Sequence, residues 1–402
     1  VRKVANNPGI YRKCTKTCPE KGCKVHSGYV VYIDMGANAD GKRIQYTKAP
    51  FKTLQDAKDH RVEVLLKHGM GAFVYDRKRT VAEYLDEWLP TLAATGRRPA
   101  TVANYTTLAK TYLRPYLGHL KLTELEAGHV RKAYADIRAA KPKLSPTTIK
   151  RVNAVLCAAL TQAMEDKLVE RNVAQKLRLA SADNPKIIPW TPAEFAAFMD
   201  PIKAKRLYPL LYVAGIHGLR RGELCGLRWS DVNLEDGYLK VNQQAVQVGR
   251  EIVVGPPKTD AGAGRIVDLD ADTVTLLKRH RIAQRADRMA HGSAWQDSDN
   301  RVFTAEAGAP WQPERVSKTF SRYVRASNVP TLHFHGLRHF SASIQLEAGV
   351  PLEVISKRHG HSSVAITADV YGHLSRNLGA ESAEKTAALL RKVAGESSLV
   401  LS

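Results

Sequence analysis

Four polar residues stand out on the otherwise apolar, helix-forming stretch between His333 and His373: His335, Arg338, His361 and Tyr371. His335 and Arg338 are three residues apart, a spacing that places two side chains on one face of a helix. Gly360-His361 ends one helical pattern, a second runs from Ser362 to Val370, and Tyr371 follows just before Gly372. A basic pair, a histidine and a tyrosine can therefore converge from three consecutive short elements. Arginine offers a planar fork of donors suited to phosphate. Histidine gives or takes a proton near neutral pH, and a deprotonated tyrosine is a nucleophile. The combination points to covalent chemistry on a phosphodiester.

Two upstream stretches extend the set. GIHGLRRGELCGLRWSDV (215–232) carries Arg220, with Glu223 one turn later. Gly215 and Gly218 interrupt the preceding apolar helix, so Arg220 falls near the start of the next one, where free amides and the helix dipole favour phosphate. GPPKTDAGAGRIVDL (255–269) carries Lys258 in a Gly- and Pro-rich turn between two strand patterns. Taken in order, Arg220, Lys258, His335, Arg338, His361 and Tyr371 resemble the signature of the tyrosine recombinase family, of the phage-type site-specific integrase kind. Each motif alone is weak, and each residue alone has a plainer reading: His335 a core histidine, Arg220 an ion-pair partner, Tyr371 packing at a helix end. The weight lies in six positions filled in the right order.

The resemblance implies a role for each residue. Arg220 and Arg338 bind the scissile phosphate and stabilise the charge that builds on it. Tyr371 attacks to form a 3′-phosphotyrosyl bond, Lys258 protonates the 5′-oxygen, His335 assists proton transfer and His361 hydrogen-bonds the phosphate. It implies no metal, cofactor or ATP, and the sequence shows no Walker-type loop and no acidic cluster suited to two metals. His339 reads as structural, beside Arg338. One departure is His359, where the family has an apolar residue before Gly-His; it bears on local packing rather than on the chemistry.

The elements that must position these residues fall into three segments, as expected for a multidomain, mainly α protein with small β-sheets. Residues 1–76 read as an α+β module: GIYRKC, GYVVYIDM and KRIQYTKA alternate as strands. TLQDAKDHRVEVLLKHG then reads as a helix, with Leu54, Ala57, Val64 and Leu65 on its apolar face and Gly69 as its stop. Integrases of this kind carry such a module to bind arm DNA sites, and the bland alternative is a docking domain. Within it, Cys14, Cys18, Cys23 and His26 could close a tetrahedral zinc site. Free cytosolic thiols in a loop are the favoured reading, since zinc sites usually pair two short knuckles across a longer loop and this is one compact run.

Arg77-Lys78-Arg79 forms a first linker. Residues 80–181 read as a helical core-binding domain, with helices from Thr80 to Leu92, Arg97 to about Leu113, Ala127 to Ala140 and Pro146 to about Leu168. Thr80 and Glu83 form a capping box, and Ser145-Pro146 is a cap followed by a first-turn proline. Lys143, Lys150 and Arg151 are candidate phosphate contacts, and Cys157 reads as core. Ala182 to Lys186 is a second, Pro-interrupted linker. Residues 187–396 read as a mixed α/β catalytic domain. It opens with a capped helix at Thr191-Pro192-Ala193-Glu194 and a second apolar helix ending near Ala214. Strands follow at Tyr238–Val246, Glu251–Val254 and Arg265–Leu269, then helices near Asp272–Met289, Glu314–Ser327 and Gly336–Ala348. The alanine-rich tail, Ala380 to Ala394, reads as a helix that in this family docks into a neighbouring protomer.

The whole-chain balance fits a nucleic-acid partner. The 402 residues carry a formal charge of +22 and a pI near 9.8, a strong attraction for a polyanion. The excess is spread along the chain: 14 Lys/Arg against 7 Asp/Glu in residues 1–76, 19 against 10 in 77–185, and 28 against 22 in the remainder. No secretory signal, no apolar run long enough to span a membrane and an odd set of five cysteines imply a cytoplasmic protein on DNA. The expected partners are double-stranded DNA at attachment sites, further copies of the chain as a homotetramer, a host architectural protein and an excision factor. Rival readings are a chromosome-dimer resolvase, a type IB topoisomerase, and a catalytically silent DNA-binding protein.

Overall fold

The computed structural model describes residues 2–12, 28–37, 43–69, 78–180, 188–249, 251–257, 262–297, 299–360 and, within 383–391, all but 385 and 389. The chain divides into two compact units, Val1–Asp183 and Asn184–Ser402. Cys14, Cys18, Cys23, His26, both linkers' proline- or arginine-bearing ends at 77 and 182–186, and most of the alanine-rich tail lie outside the described residues.

The first unit begins with an antiparallel sheet in the order β1 (Arg2–Lys3), β2 (Ile10–Arg12), β3 (Tyr29–Ala37), β4 (Arg43–Phe51), followed by α1 (Leu54–Gly69). Strand alternation sends Ile10, Val31, Ile33, Met35 and Tyr46 inward, where Ala57 and Val64 of α1 meet them. β1 is a fourth strand, too short to leave a pattern in the sequence. Leu65, expected on the apolar face, is exposed. It follows Val64 and so stands about 100° further round the helix.

The helical part comprises α2 (Val81–Ala94), α3 (Pro99–Leu108), α4 (Arg114–Leu117), α5 (Ala127–Ala140) and α6 (Pro146–Glu165). Thr80 and Glu83 close their capping box at both ends, with Glu83 N–H donating to Thr80 Oγ1 and Thr80 N–H to Glu83 Oε2. Val81, Tyr84, Leu85, Trp88, Leu89 and Leu92 then bury one face of α2. The second helix does not stop at Leu113. A wide turn over Ala109–Leu113, in which Arg114 N–H reaches back five residues to Ala109 O, carries it into α4. Pro115 is the cause we assign, because it has no N–H for the regular ladder. The fourth helix stops at Glu165, three residues early. Lys167 takes a left-handed φ of 58°, and the Leu168 amide folds back on Ala163 O. Cys157 is partly buried against this core, and Lys143, Lys150 and Arg151 are exposed.

The second unit places α7 (Pro192–Met199), α8 (Tyr208–His217) and α9 (Arg221–Gly226) ahead of a sheet in the order β5 (Val232–Asn233), β6 (Tyr238–Val241), β9 (Arg265–Asp268) and a separate hairpin of β7 (Gln244–Val248) and β8 (Glu251–Gly255). α10 (Ala271–His291), α11 (Pro313–Ala326), α12 (Gly336–Glu347) and α13 (Leu352–His359) follow. The expected strand Tyr238–Val246 is two strands in two sheets. Asn242 and Gln243 turn the chain between them: Asn242 Nδ2 donates to Asp231 Oδ1 at 2.7 Å and Gln243 Nε2 to Gly226 O at 2.6 Å. α8 runs three residues past Ala214 and contains Gly215, which does not break it. A Cβ there would lie 2.4 Å from the Phe195 ring, so the glycine serves close packing. The core gathers Phe198, Leu210, Leu211, Leu224, Phe320 and Phe340, each such fully buried side chain contributing about 1.5–3 kcal/mol.

Candidate active site

The site forms where the C-terminal ends of α8 and α13 meet. α13 ends on Gly360, whose left-handed φ of 61° is a helix stop that glycine adopts without strain. Carbonyls at a helix C-terminus lack intrahelical donors and carry the negative end of the dipole. Here three arginines from three other elements supply donors to three consecutive carbonyls. Arg265 Nε donates to Arg358 O at 2.9 Å, Arg338 Nη2 donates to His359 O, and Arg220 Nη2 donates to Gly360 O at 2.7 Å.

Arg338, on the first turn of α12, is 4% exposed. Its Nη1 also donates to Gly218 O at 2.7 Å, so one guanidinium joins the ends of α8 and α13. Gly218 is required twice over. It ends α8 with φ 66°, and a Cβ would lie 2.5 Å from His359 Nε2 and 3.0 Å from Ser341 Oγ. His359, the residue that departs from the family pattern, is fully buried, with Nε2 3.4 Å from Ser341 Oγ and 3.3 Å from Gln345 Nε2. The imidazole thus fills the space that the missing Gly218 side chain leaves.

Arg220 caps α9. The sequence suggests free amides at this helix start, but Glu223 occupies the first: its Oε2 accepts the Arg220 N–H at 2.8 Å and its Oε1 accepts Arg220 Nη1 at 2.9 Å. Glu223 is 1% exposed and is also held by Arg265, through Nη1 to Oε1 at 2.9 Å and Nη2 to Oε2 at 2.6 Å. Burial pushes the Glu223 carboxyl up, but the hydrogen bonds and charge of Arg265, joined by Arg220, outweigh it and hold the group below the usual carboxylate range. Three guanidinium groups against one carboxylate leave excess positive charge, as an anionic ligand requires. Among the described residues, Arg220 spends two of its five donors, on Glu223 and Gly360, and its side chain is one-fifth exposed.

The structure therefore brings Arg220 and Arg338 onto adjacent carbonyls, on Cα atoms about 3.8 Å apart. His335 is exposed at the N-terminus of α12, its ring edge-on to His339 at 5.1 Å. It shares a turn with Arg338 without sharing its burial, because Arg338 reaches into the core. His339 is partly buried, and burial followed by the Arg338 charge lowers its pKa. Lys258, His361 and Tyr371 lie outside the described residues. Their neighbours are placed: Gln244 Nε2 donates to Pro256 O at 3.0 Å, Arg265 Nη1 donates to Gly262 O at 3.2 Å, and Gly360 immediately precedes His361. Among the described residues no cluster of three or more His, Cys, Asp or Glu could hold a metal, and no helix is long and apolar enough to cross a membrane.

Sequence reasoning missed Arg265 and the carbonyl run, and gave Glu223 no role. A second buried polar group, His217, also went unremarked. Its Nε2 lies 2.9 Å from Thr273 Oγ1 and 3.3 Å from Asp270, and its Nδ1 lies 3.2 Å from Arg358 Nη2. Burial depresses its pKa to about 4, with Asp270 opposing and Arg358 assisting. At neutral pH the contact with Asp270 therefore joins a neutral imidazole to a carboxylate.

A helical domain is followed by a mixed α/β unit in which Arg220 and Arg338 converge on one helix end, an arrangement suited to an anionic ligand. The comparisons with known proteins make it specific. The model for the phage integrase family matches residues 191–377, and that for the phage integrase N-terminal SAM-like domain matches residues 80–138. The chain belongs to the phage integrase family of tyrosine recombinases. It is 26% identical over 366 residues to a tyrosine recombinase XerC-like protein of Caldanaerobacter subterraneus subsp. tengcongensis, covering 86% of this chain and 92% of that one. It is 29% identical over 351 residues to an integrase of Streptomyces ambofaciens, covering 85% and 88%. Among solved structures, the Tn1549 transposon integrase in complex with transposon right end DNA aligns with a TM-score of 0.61 at 20% identity, covering 77% of this chain and 99% of that one. A lambda integrase tetramer bound to a Holliday junction aligns with a TM-score of 0.55 at 17% identity, covering 92% and 96%. These likenesses establish the shared fold.

Proposed function

We propose that the chain is the site-specific integrase of a phage or other mobile element, and that it cleaves and rejoins DNA through a 3′-phosphotyrosyl intermediate at Tyr371. The observation that carries this reading is the placement of Arg220 and Arg338 on the adjacent carbonyls of Gly360 and His359, immediately ahead of His361. Two guanidinium groups so fixed offer donors to the non-bridging oxygens of one phosphate, and oppose the charge that develops as phosphorus is attacked.

Tyr371 Oη attacks phosphorus while the bond to the 5′-oxygen breaks. Lys258 Nζ gives its proton to that oxygen, His335 assists removal of the phenol proton, and His361 hydrogen-bonds the phosphate. The ester bond is retained on the enzyme, so a 5′-hydroxyl from a second duplex reverses the step and joins new strands. The reaction needs neither ATP nor a divalent metal. The working assembly is a homotetramer on two DNA sites in the cytoplasm. Residues 1–76 bind arm DNA, residues 80–181 and 187–396 bind the crossover site, and a host architectural protein and an excision factor set direction. The integrase reading is favoured over a dimer resolvase, a relaxing topoisomerase or a silent binding protein by the integrase relatives and by the intact set of six residues.

The test is covalent trapping on nicked DNA that carries the attachment site. A denaturation-resistant adduct should map to Tyr371, and Tyr371→Phe should bind DNA normally but form none. An adduct that persists in Tyr371→Phe would remove the tyrosine from its role.

A further inference from the structure

We propose that Arg265, at the start of β9, is a positioning residue for strand cleavage: one guanidinium locks the carboxylate that aims Arg220, the end of α13 that leads to His361, and the closing end of the Lys258 loop. The inference deepens the tyrosine-recombinase reading and rests on it. Arg265 is 9% exposed, and its hydrogen bonds account for the burial. Nη1 and Nη2 make a parallel pair to the two oxygens of Glu223, Nη1 also reaches Gly262 O, and Nε reaches Arg358 O. A fork of fixed donors can serve all three directions together, whereas a lysine ammonium on a flexible stem is a single point.

The linkage has a direction. Glu223 is the hinge of the arrangement, because the same two oxygens that Arg265 grips accept from the amide and Nη1 of Arg220. Among the described residues, the charged groups that face Glu223 are Arg265 from β9 and Arg220 from the head of α9; α13 offers carbonyl oxygens to the same arginines. Without Arg265, Arg220 alone must offset the burial of the carboxylate, and Glu223 takes a proton at a higher pH. A protonated Glu223 accepts fewer hydrogen bonds from Arg220, and the guanidinium that should meet the phosphate loses its aim. Arg265 itself touches neither phosphate nor tyrosine in this scheme, so its loss should appear in the rate of cleavage and not in the affinity for DNA.

The experiment uses the full chain and nicked attachment-site DNA. It measures single-turnover formation of the Tyr371 adduct across pH 5 to 9, DNA affinity by anisotropy, and thermal unfolding. Arg265→Gln should slow adduct formation on the order of a hundred-fold, the scale of a small misplacement of a catalytic group, with DNA affinity within about threefold of the parent. Its acid limb should move to higher pH, and Glu223→Gln/Arg265→Gln, which has no carboxylate to titrate, should lack that displacement. Arg265→Lys keeps a charge beside Glu223, so it remains folded and should still be slowed about tenfold. It decides the matter if the glutamine variant does not fold. A folded Arg265→Lys or Arg265→Gln with the parent's rate and pH profile overturns the proposal. So does a loss of rate matched by the loss of DNA affinity or of folded protein. If the parent chain itself forms no tyrosine adduct, the recombinase mechanism has failed first and this role falls with it.

Discussion

At the scale of single residues, Gly218 and His359 are one packing unit under Arg338. Gly218→Ala would force a left-handed backbone position on a residue with a Cβ and drive that carbon into the His359 ring. We expect a loss of about 2 kcal/mol or more of stability, read as a lowered denaturant midpoint; an unchanged midpoint would contradict the packing described. His217 gives a pH signature. Its folded pKa, near 4, lies below the ordinary histidine value, so the unfolded chain binds the proton more readily. Its contribution is complete above about pH 6.5 and declines as the pH falls through 4. Denaturant midpoints should fall over that interval, and His217→Gln should flatten the decline; equal slopes in parent and variant would show that other groups govern it. The convergence of Arg220 and Arg338 on one helix end agrees with what the type and spacing of their motifs suggest. Arg265 was not legible, because an arginine that donates to carbonyls and to a glutamate 42 positions away leaves no local pattern.

At the scale of elements, caps were legible and junctions were not. Thr80, Thr191 and Ser145 each accept a backbone N–H at the helix starts that their sequence marks. Thr191→Ala removes the acceptor for Glu194 N–H and should cost about 1 kcal/mol; Thr191→Ser, which keeps the oxygen, should cost clearly less, and equal losses would point away from capping. The wide turn before Pro115, the break between β6 and β7 and the helical Gly215 escaped sequence reading for a shared reason. Each is decided by a partner distant in sequence, such as Asp231 for Asn242 or Phe195 for Gly215. A local window reads Gly215 as a breaker, whereas tertiary contact makes it a spacer.

At the scale of the whole molecule, the charge of +22 is spread over all three segments, and exposed Arg315, Lys318, Arg322 and Arg325 continue it along α11. Binding should therefore weaken steeply with salt, the logarithm of affinity falling with a slope of about −0.9 for every phosphate neutralised. A flat dependence in a titration from low to moderate salt would contradict broad contact with the DNA backbone. The mainly helical character was legible from periodicity and punctuation, since α2, α5 and α6 repeat their buried apolar residues at helical spacing. The convergence of distant elements on the 358–360 carbonyls was not, because periodicity describes one element at a time.

That convergence also bears on when the protein becomes active. Arg220 and Arg265 precede their carbonyl partners by 140 and 93 residues, and Gly218 precedes Arg338 by 120. Contacts of such sequence separation form late, after much of the intervening chain is in place. While the chain is being made, the three arginines have no helix end to rest on until residue 360 has been added and α13 has docked. A chain that stopped short of α13 would leave Arg220, Arg265 and Arg338 without the carbonyls that hold them in place.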